Sequence, residues 1–320
     1  MLTQMTHEVS KPKFSVIDYH NHPDAQSPEH VLAIMDECGN EHIVNSTMKA
    51  GDEAIAMIDR YNNADAKRFS TIGWMDWDGV ERSDFIDVSV RRLEKLVAYG
   101  IVGFKIWKDF GLSIRDASGD LMRVDDERLA PVFERCGQLN IPIMVHIGDP
   151  EAFFLPIDSN NEQYEELAAH PDWSFHGAEF SKSNLLDQRD SVFDRHPRTT
   201  FIAAHVAENV QRLTAMLHRN PNVLVDNSAR ASELGRQSYS ARRLFLEFAD
   251  RILFGADLAP DAAMYRLYYR FLGTEDGYFE YPTHASGQGR WNICGMHLPD
   301  DVLKKVYRDN KLRFLPTLQS

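Results

Sequence analysis

Eight short apolar runs punctuate the chain, spaced so that a helix fits between most neighbours. They are SVIDYH from Ser15, EHIVNSTM from Glu41, FSTIGWM from Phe69, VGFKIW from Val102, IPIMVHI from Ile141, TTFIAAHV from Thr199, VLVDNS from Val223 and RILFGADL from Arg251. Each is apolar nearly throughout rather than alternating, the pattern of strands buried on both faces of a parallel sheet. Amphipathic stretches with helix punctuation lie between them. SPEHVLAIMDECG opens on a Ser27 cap and closes on Gly39, DFIDVSVRRLEKLVAYG closes on Gly100, and DERLAPVFERCGQLN runs out near Asn140. NVQRLTAMLHRNP and SARRLFLEFADR precede the seventh and eighth runs. Strand and helix repeated in this way predict an α/β fold, a closed (β/α)₈ TIM barrel, with an open doubly wound sheet as the alternative topology.

No Pro/Gly/Ser-rich linker or low-complexity tract interrupts the pattern, so residues 1–320 read as one domain, with 1–13 as a short frayed arm. Two connections exceed what a plain barrel needs. One runs from about Gly148 to Arg198, after the fifth strand, and carries Trp173, Phe175 and His176. The other, GTEDGYFEYPTHASGQGRWNICGMHLP, follows the last barrel helix. Connections this long tend to be functional, and their aromatic content predicts folded caps over a pocket. The stretch from Tyr278 to Trp291 is also a candidate contact in a homo-oligomer.

Composition narrows the partners. A hydrophobic content of 43% supports a sizeable core, and a formal charge of −13 argues against nucleic acid or an anionic membrane surface. Cys38, Cys136 and Cys294 are odd in number and far apart, so a disulfide framework is not expected and a reducing cytoplasm is. The start of the chain lacks the apolar segment of a signal peptide, and no run of about 18 apolar residues occurs.

The sharpest local signal is DYHNH, Asp18 to His22, at the end of the first run. In an extended chain residues i and i+2 share a face, so His20 and His22 can aim together into a barrel mouth and share a metal ion. His146 ends the fifth run, His205 the sixth and Asp257 the eighth. Each is a polar residue following a buried strand, and active sites of such barrels gather at the C-terminal strand ends. No Walker loop, GxGxxG after a strand or GxSxG elbow is present, which disfavours nucleotide-dependent and serine-hydrolase chemistry.

Taken in order, the HxH on strand one, a His on strand five, a His on strand six and an Asp on strand eight resemble the amidohydrolase superfamily. More narrowly the pattern is similar to the amidohydrolase-2 branch that includes aminocarboxymuconate semialdehyde decarboxylase. The resemblance runs from IDYHNH to the C-terminal LPDDVLKKVYRDNKLRFL, which is similar to that branch's final helix. It implies that His20, His22, His146 and Asp257 hold a divalent metal, zinc first, with manganese, iron or cobalt as alternatives. It implies a catalytic or second-metal role for His205, and a catalytic one for Asp257 as proton acceptor for an activated water. The activity implied is metal-dependent hydrolysis of an ester, lactone or amide in a small, acidic substrate. Non-oxidative decarboxylation in the same site is the alternative, and a catalytically silent ligand-binding barrel is the rival from outside enzymology.

Lys105, in GFKIWKDFG, keeps three readings open: a carbamylated bridge between two metals, a cation for a substrate carboxylate, or a structural ion pair. Lys108 is expected past the strand end and solvated. Arg230 offers a planar fork for a substrate carboxylate, while Glu233 and Arg236 beside it form a candidate pair. Asn45 and Trp74 are placed to line the pocket. Asp24 is a candidate orienter of a ligand histidine, and Asp149, Arg290, His176 and His284 are outlying candidates.

Overall fold

The computed structural model describes residues 7–206, 209–281, 288–289, 291–315 and 318. The eight apolar runs fold as strands β1 (Val16–Asn21), β2 (Asn40–Asn45), β3 (Phe69–Trp74), β4 (Gly103–Ile106), β5 (Ile143–Val145), β6 (Phe201–Ala203), β7 (Val223–Asp226) and β8 (Ile252–Leu253). They form one sheet in sequence order, every pairing parallel. Backbone bonds close the ring between first strand and last. Tyr19 N donates to Phe254 O at 3.0 Å and Ala256 N to His20 O at 3.0 Å. The closed (β/α)₈ barrel, and not the open sheet, is the architecture.

The helices are α1 (Pro28–Cys38), α2 (Gly51–Asp65), α3 (Phe85–Tyr99), α4 (Ala130–Gln138), α5 (Tyr164–Ala169), α6 (Lys182–Arg195), α7 (Val210–Arg219), α8 (Ala231–Arg236), α9 (Ser238–Glu247) and α10 (Ala262–Gly273). A hairpin of β9 (Phe279–Glu280) and β10 (Asn292–Ile293) follows, then α11 (Asp300–Lys304), a π-turn, and α12 (Asn310–Leu312). The caps expected for α1 form: the Ser27 hydroxyl accepts from His30 N, and Gly39 turns left-handed at φ 80°. The sequence gives no such warning of α2, whose start carries Ala50 with no side-chain cap and a Gly at its first position. The long connection after β5 is not loop alone: it holds α5, a short 3₁₀ turn and α6, whose capping box is Ser181 with Asn184.

Two apolar layers hold the barrel. Outward-facing residues such as Phe104, Ile106, Val145, Phe201, Val225 and Phe254 pack under the helices. Inside, Ile17, Tyr19, Val44, Ile72, Met144, Ile202, Leu224 and Leu253 form a separate cluster, closed below by Leu312, Phe314, Leu315 and Leu318. The arm is not frayed from residue 7 onward: His7 bonds Asp276, Lys13 pairs with Asp300 at 2.6 Å, and Pro12 packs on Gly39. Among the described residues no helix is long and apolar enough to cross a membrane.

Candidate metal centre

Every expected ligand reaches the C-terminal end of the strands, and the strand-one pair is placed by an irregularity. The β1–β2 register shifts between Asp18 and Asn21, and the adjacent Tyr19 and His20 both contribute to the barrel interior. Tyr19 joins the lower apolar cluster, while His20 joins the polar mouth above it. Close approach of the last strand turn to His20 is possible because residue 255 is Gly; a Cβ there would stand 2.7 Å from His20 Cβ.

Asp257 is the point of convergence. Its Oδ1 lies 2.8 Å from His20 Nε2 and 3.1 Å from His22 Nε2, and its Oδ2 lies 3.6 Å from His205 Nε2. Both Asp257 and His205 take a left-handed backbone at φ 60°, a conformation that costs roughly 1–3 kcal/mol in a non-glycine residue and gathers at functional sites. The amides of Ala256 and Asp257 both donate to the His20 carbonyl, at 3.0 and 2.6 Å, so this turn is clasped onto β1.

The tautomers follow from the partners. His20 Nδ1–H donates to Asp226 Oδ2 at 3.0 Å, which leaves Nε2 as the face presented to the centre. His205 Nδ1–H donates to the Ser228 carbonyl at 3.0 Å, and its buried Nε2 has no hydrogen-bond partner among the described residues. Burial and the Lys105 ammonium hold the His22 imidazole down at about 4 despite Asp257. Burial likewise holds His146 at about 4 and pushes His205 well below the usual imidazole range. Neutral imidazole is the metal-binding form. Asp257, by contrast, is buried yet held far below the ordinary carboxylate range, His20 being the largest cause acting to lower it.

His146 stands apart from this trio. Its ring packs edge-on against His205 (4.3 Å between centroids) and Trp107 (4.7 Å), and its Nε2–H faces the Gly148 carbonyl at 3.1 Å. Its Nδ1 is buried with no hydrogen-bond partner among the described residues. Among the described residues, two groups of side chains meet the spacing for a shared metal: His20, His22 and Asp257, and, around the opposite nitrogen of His20, His205 and Asp226. The first is aimed at the mouth. The second includes Asp226, which is already committed to His20, to the amide of His205 (3.1 Å) and to Ser228, and so acts as an orienting carboxylate.

Lys105 is fully buried, with Nζ 2.6 Å from His20 Nε2 and 3.3 Å from His22 Nε2. Burial lowers its pKa to about 8, although Asp257 and Asp226 act to raise it. Lys108 is not solvated as expected. Its ammonium pairs with Asp149 and lies over the rings of Trp107 (5.4 Å) and Phe175 (5.5 Å). Trp74 lies half-buried against Trp107, 5.4 Å between centroids, so the two rings form one wall of the mouth.

Other expected residues sit differently. Asn45 is fully buried and donates to Asp24 Oδ1 at 2.7 Å, while Thr47 takes Oδ2; Asp24 therefore braces the β2 loop rather than a histidine. Arg230 is buried at the start of α8, donating to the Ala229 carbonyl and lining a cavity with His205. Arg236 pairs with Glu162 at 2.5 Å, not with Glu233, whose carboxylate accepts from Ser232 at 2.7 Å. His176 is exposed. Arg290 and His284 lie outside the described residues. Sequence reading missed Asp226, Ser228 and Glu166; only the first carried a signal, as a carboxylate closing an apolar run.

A family model described as Amidohydrolase matches residues 17–317. No curated protein matches the chain. Among solved structures, an uncharacterised TIM-barrel protein from Bordetella bronchiseptica superposes with a TM-score of 0.62 at 17% identity, covering 96% of this chain and 100% of that one. The 2,6-dihydroxybenzoate decarboxylase from Rhizobium gives 0.59 at 17%, with coverages of 98% and 100%. A dihydroxybenzoic acid decarboxylase from a Polaromonas species, solved with manganese and 2-nitroresorcinol, gives 0.60 at 15%, with coverages of 96% and 98%. At such identities the likeness is one of fold.

Proposed function

Because this chain belongs to the Amidohydrolase family, we propose that it is a metal-dependent enzyme hydrolysing an ester, lactone or amide bond in a small carboxylated substrate. The observation that carries the reading is one carboxylate shared by three imidazoles: Asp257 Oδ1 beside His20 and His22, and Oδ2 turned to His205. His20, His22 and Asp257 would hold the ion, with His146 as the fourth ligand that the family pattern supplies. A divalent ion in this nitrogen and oxygen set, zinc or manganese, acts as a Lewis acid and acidifies water toward neutral pH.

The chain's own groups divide the remaining work. Asp257 is ionised and placed to take a proton at Oδ2. His205 Nε2 is bare and neutral, and receives that proton or steadies developing charge. Lys105, beside His20 and His22, and Arg230, which lines a cavity with His205, supply positive charge for a substrate carboxylate. The half-buried Trp74 and Trp107 pack together beside Lys105.

Decarboxylation of an aromatic acid is the second reading, favoured by that tryptophan pair with the Lys105 ammonium 5.0 Å from the Trp107 ring, and by the decarboxylases among the structural neighbours. Metal analysis by plasma mass spectrometry, followed by a substrate panel on the loaded protein, separates the readings. One ion per chain with turnover of lactones, esters or amides supports hydrolysis. Release of CO₂ from hydroxybenzoates, with no turnover of the others, overturns it in favour of the second reading. Two ions per chain would bring in Lys105 as a carbamate bridge. No ion taken up on reconstitution would sink both.

A further inference from the structure

Beneath the candidate metal centre lies a carboxylate with no hydrogen bond to the side chains of His20, His22 or Asp257. Asp18 is fully buried between β1, the turn after β8 and α10. Its Oδ1 accepts the amide of His20 at 3.1 Å and the amide of Ala256 at 3.2 Å. Its Oδ2 accepts the Tyr265 hydroxyl at 2.8 Å and the Asn21 side-chain amide at 2.8 Å. The two backbone donors belong to a ligand histidine and to the residue immediately before the ligand Asp257. A single oxygen atom therefore joins the main chains that carry the two closest members of the trio.

The arrangement has a counterpart across the site. Asp226 Oδ1 accepts the amide of His205 at 3.1 Å, and its other oxygen orients the His20 ring. Asp226 reaches both a histidine ring and a histidine main chain; Asp18 reaches the His20 and Asp257 segments through main chain alone. The barrel seam is also closed by Tyr19 N to Phe254 O and by the Ala256 and Asp257 amides on the His20 carbonyl, so the Ala256 N–H is shared between that carbonyl and Asp18 Oδ1. A buried carboxylate is costly unless its bonds are used, and here both oxygens are bonded.

We propose that Asp18 is a positioning residue, a buried oxygen that fixes the separation of His20 and Asp257 and so sets the affinity of the centre for its metal. Metal ligation is sensitive to such supports because donors must be held close to bonding geometry before the ion arrives. The inference rests on the metal-binding reading above, and the experiment distinguishes the failure of one from the failure of the other.

Zn²⁺ affinity is measured on the full chain by competition with a chromophoric chelator, beside thermal unfolding, for the parent and for Asp18→Ala, Asp18→Asn and Tyr265→Phe. Asp18→Ala is expected to raise Kd by about tenfold or more, the scale on which orienting partners act. Asp18→Asn keeps one oxygen and is expected to rescue part of this, leaving Kd raised by roughly three- to tenfold. Tyr265→Phe removes one donor from Oδ2 and the hydroxyl that accepts from Asn21, leaving both Oδ1 bonds in place, and should lower the unfolding temperature with Kd held within about twofold. Folded Asp18 variants with Kd within about twofold of the parent would overturn the proposal while leaving the metal centre intact. If Asp18→Ala does not fold, Asp18→Asn decides by the same criterion. An equal loss of affinity in Tyr265→Phe would overturn it too, as general loosening of the seam. A parent that binds no Zn²⁺ overturns the metal reading and this one with it.

Discussion

At its lower end the barrel closes on Ile17, Ile72, Met144, Ile202, Leu224 and Leu253, with Leu315 from the C-terminus set into them. Two or three residues further along, at or just past the ends of β1, β5, β6 and β7, stand His20, His146, His205 and Asp226, and β4 adds Lys105. Both ends are buried, yet they are held in different ways. The lower end is stabilised by contact area, which is non-directional and tolerant of shape-conserving exchange. At the upper end each charged or polar group depends on a named partner at a fixed distance, so the loss of one leaves another unpaired. The barrel thus separates stability from chemistry along its axis.

Breaking the upper end selectively is the strongest test of that separation. His20→Ala with His22→Ala should abolish metal uptake and lower kcat/KM on the order of 10³-fold or more, with the unfolding temperature changed far less than activity. The converse is Leu253→Ala below, where the side chain is fully buried. It should cost about 2–5 kcal/mol in denaturant unfolding, with metal stoichiometry unchanged. Loss of metal in Leu253→Ala would show that the two ends are coupled.

Gly255 sits on the boundary between them. Gly255→Ala drives a Cβ into His20 and should cost roughly 1–3 kcal/mol while weakening metal affinity, a mixed phenotype that neither end gives alone. The smallest effect concerns Glu166 on α5, in the insertion over the mouth. Burial, with Asp149 and Glu233 nearby, raises its pKa to about 7. An acid whose folded-state pKa is raised favours the protonated folded form. Its contribution is full below the unfolded pKa near 4.5 and is lost as pH rises through 7. The parent should therefore lose about 1–2 kcal/mol relative to Glu166→Gln between pH 5 and pH 8, read as the difference between their urea midpoints. A constant difference across that range would show that Glu166 titrates normally.

The fold was legible because its signals are local. Continuous apolar runs, the Ser27 and Gly39 caps and the Gly100 stop depend on residues a few positions apart. Where the local signal is weak, as for the uncapped α2, the sequence was silent. The insertion after β5 read as a loop because its helices are short or polar: α5 spans six residues, and α6 buries Lys182, Gln188 and Arg189 among its apolar positions.

The candidate centre divides along the same line. That His20, His22, His146, His205 and Asp257 would meet at one barrel mouth followed from their places after buried strands, since strand order fixes which ends are neighbours. Other features are set by tertiary contacts between residues more than two hundred positions apart, which no local pattern encodes. These are the clasp of Ala256 and Asp257 onto the His20 carbonyl and the orientation of the His20 ring by Asp226. So is the bond of Asp18 to the segment that carries Asp257. The diversion of Asn45 to Asp24 and of Arg236 to Glu162 spans shorter separations, 21 and 74 positions, but is tertiary too, because a polar side chain takes whichever partner the packed loops bring within reach. Sequence by itself determined the barrel and the kind of donors at its mouth. Only the folded chain decided their separations, tautomers and charges, because these depend on burial and on partners that meet when the ring closes.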